Sequence, residues 1–105
     1  MVQTALLVGR NPAVIDDVMS RAQAPGIRLL NGGNSVATVR EVFASQGIQH
    51  VILGGGIDLE QRLEIVRLVF QLSSSTTVHM NSPSGPESFL PFVLSVLHGV
   101  NGKAA

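Results

Sequence analysis

Four short apolar segments, each followed by an amphipathic segment, recur along the chain. The apolar segments cover residues 4–8, 27–30, 50–53 and 76–80 and have the length of β-strands, while the segments between them repeat their apolar residues with helical periodicity. Successive parallel strands need a helix that crosses one face of the sheet, and such crossovers are right-handed. The alternation therefore predicts an α/β fold, (βα)4, with a four-stranded parallel sheet and helices on both faces.

The strand order is predicted to be 2-1-3-4, as in a three-layer flavodoxin-like or Rossmann-like fold. This order makes the second and fourth strands the edges of the sheet. The chain has 105 residues, which is the length of one domain. Residues 1–100 are therefore expected to form this domain and residues 101–105 a flexible C-terminal tail.

Capping residues mark where the first two helices begin. Asn11 suits the N-cap position and Pro12 the first helical position, so the first helix is predicted to begin there. Either Asn34 or Ser35 is expected to cap the second helix. Both helices then start directly after a strand, which is typical of a compact α/β sheet.

The third and fourth helices have less regular boundaries. Asp58 and Gln61 have the spacing of a variant capping box at the start of the third helix. Pro91 leaves two alternatives for the last helix, because it either kinks that helix or marks its start. This helix is predicted to end near Gly99.

Charge is scarce and balanced in this chain. Charged residues make up 13% and hydrophobic residues 45%, and seven Lys and Arg balance seven Asp and Glu. Globular domains carry about 25% charge, so an unusual share of this surface is neutral or apolar. Without excess positive charge, neither nucleic acid nor an acidic membrane is an expected partner. No apolar segment is long enough for a membrane span, and a cytoplasmic location is expected.

Glycine and arginine follow the strands at positions where acidic residues would be needed for phosphotransfer. The first strand ends in Val8-Gly9-Arg10 and the third in Leu53-Gly54-Gly55. Over about residues 3–98, the layout resembles a response-regulator receiver domain without its fifth strand and helix. A receiver holds Mg²⁺ and a phosphoryl group on carboxylates at these strand ends. The resemblance therefore implies a non-catalytic, receiver-like regulatory or protein-interaction module.

Three local motifs are similar to those of small stand-alone bacterial proteins of unknown function. They are Gly-Arg-Asn-Pro at 9–12, Leu-Gly-Gly-Gly-Ile at 53–57, and His79 followed by Ser84-Gly85. This similarity implies a receiver-like or Rossmann-like fold and supplies no activity.

Two loops predicted at the carboxyl ends of strands one and three form a candidate anion site. In the order 2-1-3-4, the strand order reverses between strands one and three, and ligands bind at such a point. Arg10, the Gly54–Gly56 amides and a helix N-terminus would meet there and favour a small anionic ligand, a phosphate or a nucleotide. The alternative is that Gly54–Gly56 form a tight turn and let the third helix approach the sheet. The candidate residues are Gly9, Arg10, Asn11, Gly54, Gly55, Gly56, His79 and Ser84.

The histidines give no separate catalytic or metal site. His79 near the end of strand four is a candidate base or anion ligand, or else a structural strand residue. His50 is the first residue of a strand, at the opposite end of the sheet, and is expected at the surface. His98 lies in the last helical turn. Their spacing does not suit a metal, and no dinucleotide or P-loop fingerprint occurs. No cofactor is therefore predicted, and a binding role is favoured over an enzyme, which stays open.

The third and fourth helices are apolar on more than one face. A helix on the surface of a monomer has one apolar stripe about 100° wide. Residues 59–72 and 89–97 exceed this, and a four-stranded sheet can cover only one side of each helix. A homodimer through Leu59–Leu72 and Phe89–Leu97 is therefore predicted; the alternative is packing within one chain.

Overall fold

Strands and helices alternate four times, as the sequence pattern predicts. A computed structural model describes residues 2–82 and 86–102. The elements are β1 (Gln3–Val8), α1 (Pro12–Arg21), β2 (Ile27–Asn31), α2 (Val36–Ser45), β3 (His50–Leu53), α3 (Leu59–Leu72), β4 (Thr77–Met80), a short 3-10 helix (Pro86–Ser88) and α4 (Phe89–Gly102).

The four strands form one parallel sheet in the order β2-β1-β3-β4. This confirms the predicted α/β class and the flavodoxin-like order. β1 and β3 lie in the middle, and the strand order reverses between them. No helix within the described residues is long and apolar enough to cross a membrane.

The sheet has an apolar core on each face. Because alternate strand residues point to opposite faces, Leu6 and Val51 pack beneath α2 and α3, whereas Leu7 and Ile52 pack beneath α1 and α4. These central strand residues are fully buried. The continuous apolar runs of β1 and β3 therefore reflect helices on both faces of the sheet.

The first two helix starts agree with their predicted caps. The Asn11 side chain accepts a hydrogen bond of 2.9 Å from the Ala13 amide, and the Ser35 hydroxyl accepts one of 3.2 Å from the Thr38 amide. Ser35 is thus the cap of α2, and Asn34 is not.

The predicted capping box of α3 is wrong. Asp58 occupies the N-cap position, but its side chain makes no capping hydrogen bond. The Gln61 side chain turns away from the helix start and donates to the Asn34 carbonyl, 2.5 Å away. Gln61 therefore ties α3 to the loop before α2.

α4 begins two residues before Pro91 and continues to Gly102. Pro91 lies in the first turn, where backbone N–H groups have no acceptor within the helix, so it removes no helical hydrogen bond. The alternative in which Pro91 marks the start is therefore wrong. The helix extends two residues into the predicted tail, and residues 103–105 lie outside the described residues.

The two apolar helices are covered to different degrees. In α4, the side chains of Phe89, Val93 and Leu97 are buried against the sheet and α1, so packing within the chain satisfies most of its apolar surface. In α3, by contrast, Leu59 and Phe70 are 58% and 57% exposed. The second apolar face of α3 has no cover within the described residues.

Candidate functional site

A cleft of about 560 Å³ opens at the carboxyl ends of β1 and β3. It lies at the point where the strand order reverses, the usual place for a ligand in an open parallel sheet. The loop after β1, the start of α1, the loop after β3 and the start of α4 form its walls. The lining residues are Gly9, Arg10, Asn11, Pro12, Val14, Ile15, Gly54, Gly55, Gly56, Asn81, Ser88 and Phe89.

The cleft brings together six of the eight candidate site residues. Gly9, Arg10 and Asn11 line one side, and Gly54–Gly56 line the other. A Cβ atom on Gly56 would lie 3.4 Å from the Cβ atom of Arg10, so the two loops are in direct reach of each other. The seventh candidate, Ser84, lies outside the described residues.

The eighth candidate, His79, does not line the cleft. It lies one residue before the end of β4 and is level with Ile52 on β3. Its Nε2 atom is 3.0 Å from the Thr77 hydroxyl, and its ring centre is 6.2 Å from that of His50. The side chain thus joins groups near the amino end of the strand, away from the glycine loops.

Arg10 is the charged residue of the described cleft lining. Its side chain is exposed, and its guanidinium makes no ion pair or hydrogen bond with the described residues. No Asp or Glu stands among the described lining residues. The charge of the cleft is therefore positive, and it is available to a ligand.

The glycine amides divide into used and available donors. The Gly9 amide donates to the Gly33 carbonyl at 3.1 Å, and the Gly54 amide donates to the Val8 carbonyl at 2.8 Å. The amides of Gly55 and Gly56 make no hydrogen bond within the described part of the chain. Both glycines line the same cleft as Arg10, so their N–H groups are candidate donors to a ligand there.

The helix N-terminus at this site is that of α1, and the first turn of α1 leaves no free N–H group among the described residues. Ala13 donates to the Asn11 side chain, and the amides of Val14 and Ile15 donate to the Asn11 carbonyl at 3.0 and 3.2 Å. Pro12 has no N–H group. α1 therefore offers an anion its dipole and no backbone donor from this turn.

Two of the glycines serve close packing. A Cβ atom on Gly9 would lie 3.2 Å from Ile15, and one on Gly54 would lie 3.4 Å from the Phe89 ring. These glycines let α1 and α4 approach the sheet, whereas the packing alternative names the third helix. The anion hypothesis therefore depends on Arg10 and on Gly55 and Gly56.

Arg62 is a buried arginine that donates a hydrogen bond to Asn81, a residue of the cleft lining. The sequence pattern does not predict this role. Arg62 is 6% exposed, and its Nη1 atom donates to the Asn81 carbonyl at 2.8 Å. Its Nε atom is buried without a partner among the described residues. Asn81 in turn donates to the Ser88 hydroxyl at 3.0 Å. The only sequence signal is an arginine at a core-facing position of an amphipathic helix.

His50 is buried, although the sequence pattern predicts it at the surface. It is 8% exposed, and its ring nitrogens lie 2.7 Å from the Thr77 hydroxyl and 2.8 Å from the Gln3 amide oxygen. The expected surface position is therefore wrong. Burial and, secondarily, His79 hold the pKa of His50 below its usual value, and burial lowers the pKa of His79.

Compared with known proteins, the chain matches no protein-family model and no curated protein sequence. Within the described residues, no group of three or more His, Asp or Glu side chains is placed to hold a metal ion. Function is therefore inferred from the chemistry of the cleft itself.

Proposed function

We propose that this chain is a non-catalytic, receiver-like regulatory module that binds a small anionic ligand of the phosphate or nucleotide type. The site is the cleft at the carboxyl ends of β1 and β3. The observation that carries the proposal is that Arg10 lines the same cleft as Gly55 and Gly56, while its guanidinium and their two amides have no partner among the described residues. Occupancy of this site by a ligand takes the place that phosphorylation has in a receiver domain.

The donor set suits an oxyanion. A guanidinium presents N–H groups in a planar fork that matches the oxygens of phosphate or carboxylate. Two adjacent backbone amides supply further donors without a side chain in the way. No carboxylate in the described lining competes for Arg10 or repels the ligand.

The rest of the cleft suits an organic body attached to the anion. Val14, Ile15 and Phe89 contribute an apolar floor, and a volume near 560 Å³ lies within the range of about 300–1,000 Å³ typical of small-molecule sites. Asn81 and Ser88 add polar groups at one wall. Mononucleotides combine these features, so they are the first organic ligands to test.

The polar side chains of the described lining favour binding over turnover. Arg10, Asn11, Asn81 and Ser88 carry a guanidinium, two amides and a hydroxyl. None of these groups has an ordinary pKa near neutrality, so none is a ready proton donor and acceptor. This supports a module that binds its ligand without converting it.

Thermal unfolding with added anions tests the proposal. A ligand that binds only the folded state stabilises it by about 2.7 kcal/mol at 100 times its Kd. Inorganic phosphate and nucleoside monophosphates are expected to raise the Tm above that in sodium chloride of equal ionic strength. Arg10→Ala is expected to abolish the increase. Arg40→Ala, which removes an exposed arginine of α2, is the matched control and is expected to retain it.

Two results contradict the proposal. In one, no phosphate, nucleotide or carboxylate shifts the Tm more than sodium chloride does. In the other, Arg10→Ala and Arg40→Ala respond to the same anion equally, which would place the anion elsewhere on the molecule.

A further inference from the structure

A second apolar stripe runs along α3 on its exposed side. Leu59, Leu63, Val66 and Phe70 follow one another at intervals of four, three and four residues, so they lie on one side of the helix. Leu59, Leu63 and Phe70 are 58%, 45% and 57% exposed. Val66 is partly buried and packs against the core that contains Ile65, so the exposed members of the outer stripe are Leu59, Leu63 and Phe70.

Two hydrogen bonds place this outer stripe in the fold. Gln61 reaches the loop before α2, and Arg62 reaches the end of β4. At about 100° per residue, Leu59 and Leu63 each lie roughly 160° from Gln61. The outer stripe therefore lies on the side of α3 away from α2, next to the open edge of the sheet. At that edge Met80 of β4 is 43% exposed.

Charged residues border the outer stripe along one margin. Glu60, Glu64 and Arg67 are exposed. They make no ion pair or hydrogen bond with one another or with other described residues. Their helical positions put all three on the same side of the stripe. The margin therefore carries two negative charges in its first half and one positive charge in its second half.

This pattern is complementary to itself when two helices run antiparallel. With a twofold axis between Leu63 and Val66, Leu59 of one copy opposes Phe70 of the other. Arg67 of one copy then falls between Glu60 and Glu64 of the other along the helix, because a twofold axis keeps both margins on the same side. The two Glu64 residues come nearly opposite each other, but at about 100° per residue they point farther from the contact than Arg67 and Glu60 do. A parallel pair puts the charged margins on opposite sides, so the opposite charges do not meet.

We propose that the outer stripe of α3 is an isologous interface between two copies of this chain, with the two α3 helices antiparallel. The self-complementary charge margin identifies the occupant as a second copy. This proposal narrows the predicted dimer surface to α3, because the chain itself covers most of α4. It does not depend on the anion cleft.

Sedimentation equilibrium of matched leucine variants tests the surface. Leu63 and Leu94 are 45% and 44% exposed, and Leu94 lies on α4, across the sheet. The unmodified chain is expected to dimerise. Leu63→Asp is expected to raise the dimer dissociation constant at least about 30-fold, because each copy would bury an unpaired carboxylate. Leu94→Asp is expected to leave it unchanged. A monomer at millimolar concentration, or a greater effect of Leu94→Asp, overturns the proposal.

Engineered cysteines test the antiparallel arrangement. The chain has no cysteine, so any disulfide reports the introduced pair. Positions 59 and 70 are about 16 Å apart along the helix, and a disulfide needs Cβ atoms about 4 Å apart. Under oxidation, Leu59→Cys mixed with Phe70→Cys is expected to form a crosslinked dimer, and Leu59→Cys alone is not. Efficient crosslinking of Leu59→Cys to itself indicates a parallel pair and overturns the arrangement.

Discussion

The Nδ1 atom of His50 lies 2.7 Å from the Thr77 hydroxyl, across neighbouring parallel strands at one register position. The same hydroxyl lies 3.0 Å from the Nε2 atom of His79. With both rings neutral, all three contacts are hydrogen bonds if His79 donates to Thr77, Thr77 donates to His50, and His50 donates to the Gln3 amide oxygen. Two histidines thus share one hydroxyl, and a proton added to the Nδ1 atom of His50 removes the acceptor of the Thr77 hydroxyl.

The stability of the fold is expected to decrease as the pH falls below about 6.5. The pKa values of His50 and His79 are lowered in the folded chain, so the unfolded chain takes up protons first as the pH falls. Stability is therefore full above the ordinary histidine pKa and is lost between it and the lowered values. Each unit of lowering corresponds to about 1.4 kcal/mol. Urea unfolding between pH 7.5 and pH 5 measures this slope.

Two histidine variants identify the source of that slope. His50→Gln is expected to flatten the dependence on pH, because Gln does not titrate. His79→Gln is expected to flatten it as well, because burial also lowers the pKa of His79. An equal slope in all three proteins would contradict the assignment to these two histidines.

Thr77→Val is expected to destabilise the chain at pH 7.5 by about 1–3 kcal/mol. The substitution keeps the shape of the side chain and removes the hydroxyl that both histidines contact, which leaves a half-buried ring nitrogen without its partner. Thr77→Ser retains the hydroxyl and is expected to stay within about 1 kcal/mol of the unmodified chain. Equal losses for Val and Ser in urea unfolding would show that packing, and not the hydroxyl, is what matters.

The alternation of strands and helices and the cap of α1 could be predicted because their signals are local, whereas the strand order follows from the flavodoxin-like arrangement that this alternation favours. Apolar runs, helical periodicity and the residues Asn11 and Ser35 each act within a few positions of the chain. The position of Arg10 opposite the glycine loop followed in turn from the strand order. A correct order is enough to place the main elements of the cleft.

The misplaced residues depend on partners far along the chain. His50 is buried because Gln3 and Thr77, from two other strands, meet its ring. No local pattern contains that information. The same is true of His79, which a count from the strand end places near the cleft. At α1, the sequence pattern predicts the cap. It does not show that Asn11 accepts hydrogen bonds from the amides of the first turn, which are then not available to a ligand.

Gly32→Ala is expected to destabilise the chain by about 1–3 kcal/mol. A Cβ atom at Gly32 would lie 2.8 Å from the Cγ atom of Leu6 and 3.0 Å from a methyl group of Val8. Both neighbours are fully buried in the core of α2 and α3, so neither can move aside without strain. Gly47→Ala meets no atom closer than 3.6 Å and is the matched control. Chemical denaturation of both variants checks the difference, and similar midpoints would contradict it.

The buried guanidinium of Arg62 is expected to matter more to the cleft than to stability. Burying a cation without an acidic partner is costly, and its replacement by an apolar side chain of similar length is often neutral or stabilising. Arg62→Met loses the hydrogen bond to the Asn81 carbonyl but keeps the packing of the side-chain stem. We expect its free energy of unfolding to stay within about 1 kcal/mol of the unmodified chain.

Arg62→Ala separates packing from charge at the same position. It removes the stem as well as the guanidinium and leaves a cavity in the core of α3, so we expect a loss of about 2–3 kcal/mol. In both variants Asn81 loses its hydrogen bond from Arg62. The Tm increase produced by a bound anion is therefore expected to become smaller. Urea unfolding and anion-dependent Tm measurements on the two variants check these expectations. A loss with Met as large as the loss with Ala would mean that the guanidinium itself stabilises the fold through its bond to Asn81.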